Sequence, residues 1–222
     1  MNMFDVTWLP DSNGYIAVFD NAVSSELCQR LVRDFEANKM SFSPGVTLSG
    51  HMGHVKTSAD LPLEMENIDD DWWASSLANN CDQVRDAFIT AFNRYMEQFV
   101  DLQAPVFFSD TGLRVQHYMR GNGFYRRHVD SVPWEVGCSN RVLAVILYLN
   151  TVDHGGSTRF ADGTTVHARE GRVVMFPATW TYPHQGLVPL SDDKWIITTF
   201  IVPAAEMVSS QSPPTFDDIL HH

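Results

Sequence analysis

The chain has 222 residues, of which 44% are hydrophobic and 12% aromatic, with a formal net charge of −12. This composition is sufficient for one packed domain, 1–222, while the negative charge disfavours DNA or RNA as the main substrate. The three cysteines are widely spaced and form no Cys-x-x-Cys pair, which is typical of free thiols in a reducing compartment. With no signal-peptide pattern and no membrane-spanning apolar run, we expect a cytoplasmic protein without membrane association.

Residues 15–111 are predicted to form a helical support region. The segment "SSELCQRLVRDFEANK" places four apolar residues on one helical stripe and offers Ser24 or Ser25 as N-cap. A second, long amphipathic helix is predicted over about residues 70–100. Its apolar positions recur every three or four residues: Leu77, Cys81, Val84, Phe88, Phe92, Tyr95 and Phe99. Between these helices, the Gly/Ser/Thr-rich stretch 41–62 indicates loop or short strands, and it could form a mobile lid.

Residues 112–203 change in character. Eight short β-rich segments are separated by turn sequences such as "DHGG", "ADG" and "REG". This pattern predicts a mainly β fold: a double-stranded β-helix (jelly roll, cupin-like) braced by the N-terminal helices. Residues 204–222 are predicted to form a loosely held tail.

A His-x-Asp tripeptide, His128-Val129-Asp130, lies on one predicted strand. Residues i and i+2 of a strand point to the same face, so the imidazole and the carboxylate can approach one metal ion together. A stable site needs a third ligand, and His184 on a later strand is the preferred candidate. Two histidines and one carboxylate form the facial triad of non-heme iron(II) oxygenases, which leaves coordination positions open.

Lys194 follows His184 by ten residues. If a turn centred near Ser191 joins the two strands as a hairpin, the axial offset is roughly 13 Å at most. A lysine facing the interior at that distance is a costly buried charge unless an anion pairs with it. A dicarboxylate that chelates the metal at one end and contacts Lys194 at the other meets both requirements.

The segment "QHYMRGNGFYRRHVD", followed in order by "RVLAVILYLN", "GGSTRF", "GRVVMF" and "HQGLVPLSDDKWIITTF", resembles the prolyl 4-hydroxylase branch of iron(II)- and 2-oxoglutarate-dependent dioxygenases. The resemblance covers roughly residues 112–202. It implies that His128, Asp130 and His184 bind Fe(II) and that Lys194 pairs with the distal carboxylate of 2-oxoglutarate. Tyr118 matches a tyrosine that hydrogen-bonds this carboxylate.

The same resemblance makes Tyr148 a second cosubstrate contact and places Tyr125 and Trp134 near the substrate mouth. Strand alternation would put Arg126 on the His128 face, where it could contact substrate. The implied reaction uses O2 and converts 2-oxoglutarate to succinate while an unactivated C–H bond is hydroxylated, with ascorbate as reductant. The implied substrate is a peptidyl proline; the loop 132–140, which matches no family pattern, leaves substrate identity open.

Other readings remain open at this point. The same chemistry could act on a free amino acid, nucleoside or other metabolite, or the chain could be a non-catalytic jelly-roll binding module. A zinc hydrolase would leave Lys194 and Tyr118 unexplained. The other histidines are expected to be structural or exposed, and four arginines are expected at the surface: Arg114, Arg141, Arg159 and Arg172.

Overall fold

The described strands of the protein are mostly short and pair antiparallel throughout. In a computed structural model, the described residues are 5–10, 13–47, 50–63, 71–103, 108–132, 138 and 140–204. The strands, in chain order, are β1 (Val6–Leu9), β2 (Ile16–Phe19), β3 (Ser43–Pro44), β4 (Lys56–Thr57), β5 (Ala59–Pro62), β6 (Phe108–Asp110), β7 (Arg114–Tyr118), β8 (Phe124–His128), β9 (Leu143–Tyr148), β10 (Thr158–Phe160), β11 (Thr165–Val166), β12 (Val173–Pro177), β13 (His184–Gly186) and β14 (Lys194–Pro203).

Two sheets divide these strands. The major sheet has the order β1-β2-β12-β9-β14-β7-β5-β3, with β6 added on β14, and the minor sheet has the order β11-β10-β13-β8-β4. Buried side chains from both sheets form one cluster, which includes Tyr118, Ile146 and Ile196 from the major sheet and Phe160 from the minor sheet. The sheets therefore pack face to face, consistent with the predicted jelly roll.

Each of the eight segments predicted as strands after Gly112 contains a strand, β7 to β14. Among the described residues, six further strands precede them, β1 to β6, of which β1, β2 and β6 were not predicted. Three of these, β3, β4 and β5, lie within the stretch 41–62, and the region 15–111 therefore contributes sheet as well as helix. β2 reads "IAVF" and is buried at all four positions, so it offers no alternation that would mark it as a strand.

Two helices cover the outer face of the major sheet. α1 spans Ser25–Ala37, and the Ser24 side chain accepts a hydrogen bond from the Leu27 amide at 3.3 Å, as an N-cap residue does. α2 spans Asp71–Gln98, inside the range predicted for the long helix. Their apolar stripes pack on alternate residues of the sheet, for example Val145 and Leu147 of β9. No described helix is long and apolar enough to cross a lipid bilayer.

β9 shows how alternation divides the interior. Val145 and Leu147 face the helices, whereas Ala144, Ile146 and Tyr148 face the minor sheet. The same alternation on β7 and β14 directs Tyr118 and Ile196 into the space between the sheets. This inner space contains the candidate site.

Candidate active site

Two neighbouring strands of the minor sheet bring the predicted metal ligands together. In the β8–β13 pairing, His128 lies directly opposite His184. Asp130 follows the end of β8. One donor atom from each of these three side chains lies within 4.8 Å of the others, so the structure assembles the predicted trio.

The three side chains surround one small space. His128 Nε2 lies 3.4 Å from one oxygen of Asp130, and His184 Nε2 lies 3.6 Å from the other. The two imidazole centroids are 4.3 Å apart. His184 is buried, and the side chains of His128 and Asp130 are only 15% and 11% exposed. The donors therefore face one another and not bulk water.

Backbone carbonyls orient both rings. His128 Nδ1–H donates to the carbonyl oxygen of Arg126 at 2.8 Å, and His184 Nδ1–H donates to that of Tyr182 at 3.1 Å. With the proton on Nδ1, the Nε2 lone pair of each ring points toward the carboxylate. Hydrogen bonding through the second ring nitrogen is the usual way in which proteins orient metal-binding histidines.

Burial and neighbouring charges set the protonation of His184 and Asp130. Burial lowers the pKa of His184 to about 4, so this imidazole is neutral at physiological pH. Burial alone would raise the pKa of Asp130, but His184, His128 and Arg141 together hold it below its ordinary value. Neutral imidazoles and an ionised carboxylate are the forms that bind a divalent metal.

The donor set fits a divalent cation. Two imidazole lone pairs and a carboxylate oxygen converge with no proton donor between them, and a cation between the three would relieve this repulsion. Two nitrogens and one oxygen suit iron(II) in the facial-triad arrangement better than a thiolate-preferring or an all-oxygen metal.

Lys194 is the first residue of β14 and lies on the opposite wall, paired with Tyr118 of β7. Its side chain is 2% exposed, and its Nζ lies 4.3 Å from the centroid of the Tyr118 ring. No described carboxylate pairs with it. Burial without a counter-charge lowers the pKa of Lys194 to about 7. An ammonium that lacks a partner in a buried cavity is suited to an anionic ligand.

The hairpin assumed for the offset between His184 and Lys194 is wrong. β13 belongs to the minor sheet and β14 to the major sheet, so the two strands do not pair. The chain crosses between sheets through the turn that contains Ser191. His184 and Lys194 consequently belong to different sheets, and both line the same cavity.

The two predicted cosubstrate tyrosines differ in position. Tyr118 lines the cavity and donates its hydroxyl hydrogen bond to Gln116 Oε1 at 2.7 Å. Tyr148, on β9, is fully buried two strands away from Tyr118, and its hydroxyl bonds the Thr158 hydroxyl at 2.7 Å. Thr158 lines the cavity, whereas Tyr148 does not. Tyr118 is therefore the better placed of the two.

The residues predicted near the substrate mouth also differ in whether they line the cavity. Tyr125 lines the cavity and stacks on His128, with ring centroids 3.5 Å apart. Arg126 is exposed and lies outside the cavity lining, so its predicted position on the His128 face is wrong. The cause is an irregular register: β13 advances from His184 to Gly186 while β8 steps back from His128 to Tyr125. Trp134 lies outside the described residues.

The remaining described histidines do not join the trio. His117 packs on the helix-facing side of β7, where it stacks on Trp195 and hydrogen-bonds Asp193 at 2.8 Å, as alternation predicts. His167 contacts the Ser157 hydroxyl at 3.1 Å. His51 and His54 of the "HMGH" segment are exposed and, together with His154, lie outside the metal-binding group of described residues.

The trio and Lys194 line one cavity of about 490 Å³. Its wall also contains Lys56, Asp60, Arg114 and Arg141, which the sequence analysis did not assign to a site. The surface prediction holds for Arg159 but is wrong for Arg172, which is 8% exposed and bonds Asp20. For Arg114 a signal existed: it precedes Tyr118 by four residues on β7 and therefore shares its face.

Comparison with known proteins agrees with this geometry. Residues 113–202 match the model of the 2OG-Fe(II) oxygenase superfamily, a range that contains the trio, Lys194 and Tyr118. This match supports a 2-oxoglutarate-dependent dioxygenase, and the fold is similar to that of prolyl hydroxylases. No curated protein sequence matches at a significant level.

Several solved structures with a similar fold are prolyl hydroxylases. A Pseudomonas putida prolyl-4-hydroxylase superposes with a TM-score of 0.60 at 20% identity, covering 85% of this chain and 92% of that one. The viral collagen prolyl hydroxylase of Paramecium Bursaria Chlorella virus-1, in its 2OG complex, gives 0.61 at 18%, covering 84% and 95%. A Trichoplax adhaerens prolyl hydroxylase, in complex with a peptide fragment of the hypoxia inducible factor oxygen degradation domain, gives 0.66 at 16%, covering 89% and 88%.

Proposed function

We propose that the chain binds iron(II) through His128, Asp130 and His184, binds 2-oxoglutarate through Lys194 and Tyr118, and hydroxylates a proline residue within a polypeptide. The observation that carries the proposal is the pairing of two complementary features in one cavity. One wall presents three converging metal donors, and the other presents a buried lysine without a described counter-ion.

When bound, iron(II), 2-oxoglutarate and O2 supply the oxidising chemistry, in which 2-oxoglutarate becomes succinate and CO2 while a C–H bond gains a hydroxyl group. The part of the protein is binding, orientation and exclusion of water. His128 and His184 present fixed lone pairs because backbone carbonyls hold their Nδ1–H groups. Asp130 completes the three-residue face and leaves the opposite side free for ligands.

Lys194 supplies the charge that places the diacid. Its ammonium faces the cavity from the wall opposite the trio, and the ring of Tyr118 covers it from one side. A carboxylate that reaches Lys194 forms a charge-assisted hydrogen bond in a buried environment, where such bonds are strongest. The Tyr118 hydroxyl can turn from Gln116 toward the same carboxylate.

The polypeptide substrate is supported by the surroundings of the cavity and by the solved neighbours. Val46, Thr47, Met52 and Val55, all from the stretch 41–62, line the cavity beside the trio. A volume of about 490 Å³ leaves room beyond a small diacid for the group that is hydroxylated. One structural neighbour was solved with a peptide fragment.

The test is turnover by the purified protein with Fe(II), ascorbate and 2-oxoglutarate in the presence of a library of proline-containing peptides. We expect succinate release that depends on Fe(II), together with a 16 Da mass increase on a proline of at least one peptide. Succinate release stimulated by amino acids or nucleosides and by none of the peptides would support the chemistry and refute the polypeptide substrate. An absence of Fe(II)-dependent succinate under every condition would refute both.

A further inference from the structure

The lining of the cavity has a surplus of positive charge, although the protein as a whole is acidic. Although the chain carries a net charge of −12, the described lining of the cavity contains four cations and only two carboxylates. The cations are Lys56, Arg114, Arg141 and Lys194, and the carboxylates are Asp60 and Asp130. The contacts of each charged side chain show whether it already has a counter-charge.

In the proposed complex, on which this inference rests, the charges at the metal end of the cavity sum to zero. Iron(II) with the Asp130 carboxylate, the two carboxylates of 2-oxoglutarate and the Lys194 ammonium is electrically neutral. No charge in this group is left for the substrate that is hydroxylated.

Lys56 and Asp60 neutralise each other. Lys56 Nζ lies 2.6 Å from Asp60 Oδ2, and the second oxygen of Asp60 accepts from the Ser58 hydroxyl at 2.7 Å. Both side chains are at most 4% exposed. Gly45 packs so closely over Ser58 that a Cβ there would collide with the Ser58 hydroxyl. This pair is therefore closed and satisfied within the protein.

Two guanidinium groups remain. Arg114 has no hydrogen-bond or ion-pair partner for its side chain among the described residues. Arg141 donates one hydrogen bond, from Nη1 to the carbonyl oxygen of Asp130 at 3.0 Å, and its buried Nε has no partner among the described residues. A buried donor such as the Nε of Arg141 is costly without an acceptor, and a ligand can supply one; Arg114 is partly buried and presents its guanidinium to the same cavity.

The strand register locates these two groups. Lys194 lies opposite Tyr118 on β7, and Thr198 lies opposite Arg114. Four residues of strand separate the two positions by roughly 13 Å. Arg141 stacks on Phe200, which follows Thr198 on the same face of β14, with its guanidinium carbon 3.9 Å from the ring centroid. Both arginines thus lie at the end of the cavity remote from Lys194.

We infer that Arg114, assisted by Arg141, forms an anion subsite that binds an acidic side chain of the polypeptide substrate, a fixed number of residues from the hydroxylated proline. The planar fork of arginine matches a carboxylate bidentately. The enzyme therefore prefers a proline that has Asp or Glu at one defined offset.

The inference is tested by peptide binding to the protein loaded with Mn(II) and 2-oxoglutarate. The probes are fluorescent nonapeptides with a central proline in a neutral background, in which Glu or Gln is placed in turn at each flanking position. We expect Glu to bind at least about tenfold tighter than Gln at one position or two adjacent ones. In Arg114→Gln this ratio falls to about one, and in Arg114→Glu the preference changes to Lys-containing peptides.

Arg159→Gln is the matched control, because Arg159 is exposed on β10 outside the cavity lining, and it keeps the Glu preference. Equal affinity for the Glu and Gln peptides at every position in the unmodified protein overturns the inference, as does a Glu preference that survives Arg114→Glu. A titration of Mn(II) and 2-oxoglutarate without peptide distinguishes failure of the proposed function. If neither binds, the proposed function fails; if both bind and no Glu preference is seen, only the anion subsite fails.

Discussion

Two buried lysines in the wall of one cavity differ in whether a carboxylate lies beside them. Lys56 and Lys194 are each 2% exposed. Lys56 has the Asp60 carboxylate at 2.6 Å, whereas Lys194 has the face of Tyr118 and no described carboxylate. Burial lowers the pKa of both; Asp60 opposes the effect at Lys56, while nothing opposes it at Lys194. The paired lysine has its counter-charge within the protein, whereas the unpaired lysine has none among the described residues and is suited to an anionic ligand.

The largest effect is expected at the metal. His184→Ala removes one of three donors, and we expect Fe(II)-dependent succinate release to fall at least about 100-fold, because two remaining ligands hold the ion weakly. Mn(II) affinity measured by calorimetry should fall in parallel. His154→Ala, at an exposed turn, serves as control and should match the unmodified protein. Full activity in His184→Ala would contradict the assignment of the trio.

The second prediction separates the two lysines by the sign of a stability change. Lys194→Met should raise the free energy of unfolding of the metal-free protein by about 1–4 kcal/mol, since an apolar side chain replaces an unpaired buried cation. Lys56→Met should lower it by about 3–5 kcal/mol, because the Asp60 carboxylate is then left buried without a counter-charge. Denaturant unfolding measures both. The double variant Lys56→Met/Asp60→Leu should recover much of the loss.

The same pair of variants separates binding from stability. Lys194→Met should weaken 2-oxoglutarate binding by at least about 30-fold, the cost of truncating one partner of a buried charge pair. Isothermal titration in the presence of Mn(II) measures it. A Lys194→Met protein that is less stable than the parent and still binds 2-oxoglutarate normally would remove the distinction between the two lysines.

A pH dependence sharpens the comparison further. With its pKa lowered to about 7, Lys194 is protonated below pH 7 and loses its charge as pH rises. Binding of the dianion requires the protonated form, so above pH 7 a proton must be taken up on binding. The affinity for 2-oxoglutarate should therefore fall between pH 7 and 9, by up to about tenfold per pH unit. Lys194→Arg, which stays charged throughout, should bind without this slope.

The smallest effect concerns the tyrosines beside Lys194. Tyr118→Phe should raise the KM for 2-oxoglutarate by about two- to tenfold, the range expected for one hydrogen bond. Tyr148→Phe should change it less than about twofold, because the Tyr148 hydroxyl is bonded to Thr158 and does not line the cavity. Steady-state kinetics at saturating Fe(II) distinguish the two. A larger effect of Tyr148→Phe would reverse the order assigned to them.

The eight later strands and the grouping of His128, Asp130 and His184 could be predicted from sequence because their signals are local or ordered along the chain. The His-x-Asp tripeptide, the distal His184 and Lys194 keep their order and spacing, and the structure brings their side chains to one cavity. The eight later strands carry β-branched residues between turn sequences. α1 carries both its stripe and its Ser24 cap.

What could not be predicted depends on pairing between distant segments. The burial of Arg141 and Arg172 is decided by which face of a sheet receives a second layer, and an isolated arginine carries no sign of that. The orientation of Arg126 depends on an irregular register between β8 and β13, which breaks the alternation assumed for an ideal strand. Lys56 and Asp60 belong to two short strands in different sheets, where a Gly/Ser/Thr-rich sequence gives little signal.

An anaerobic crystal structure with Fe(II) and 2-oxoglutarate tests the central claim most directly. We predict one ion bound by Nε2 of His128, Nε2 of His184 and one oxygen of Asp130, with the far carboxylate of the diacid within hydrogen-bond distance of Lys194 Nζ. A structure in which the diacid binds the ion but its far carboxylate contacts Lys56 or solvent, leaving Lys194 unpaired, would contradict the account.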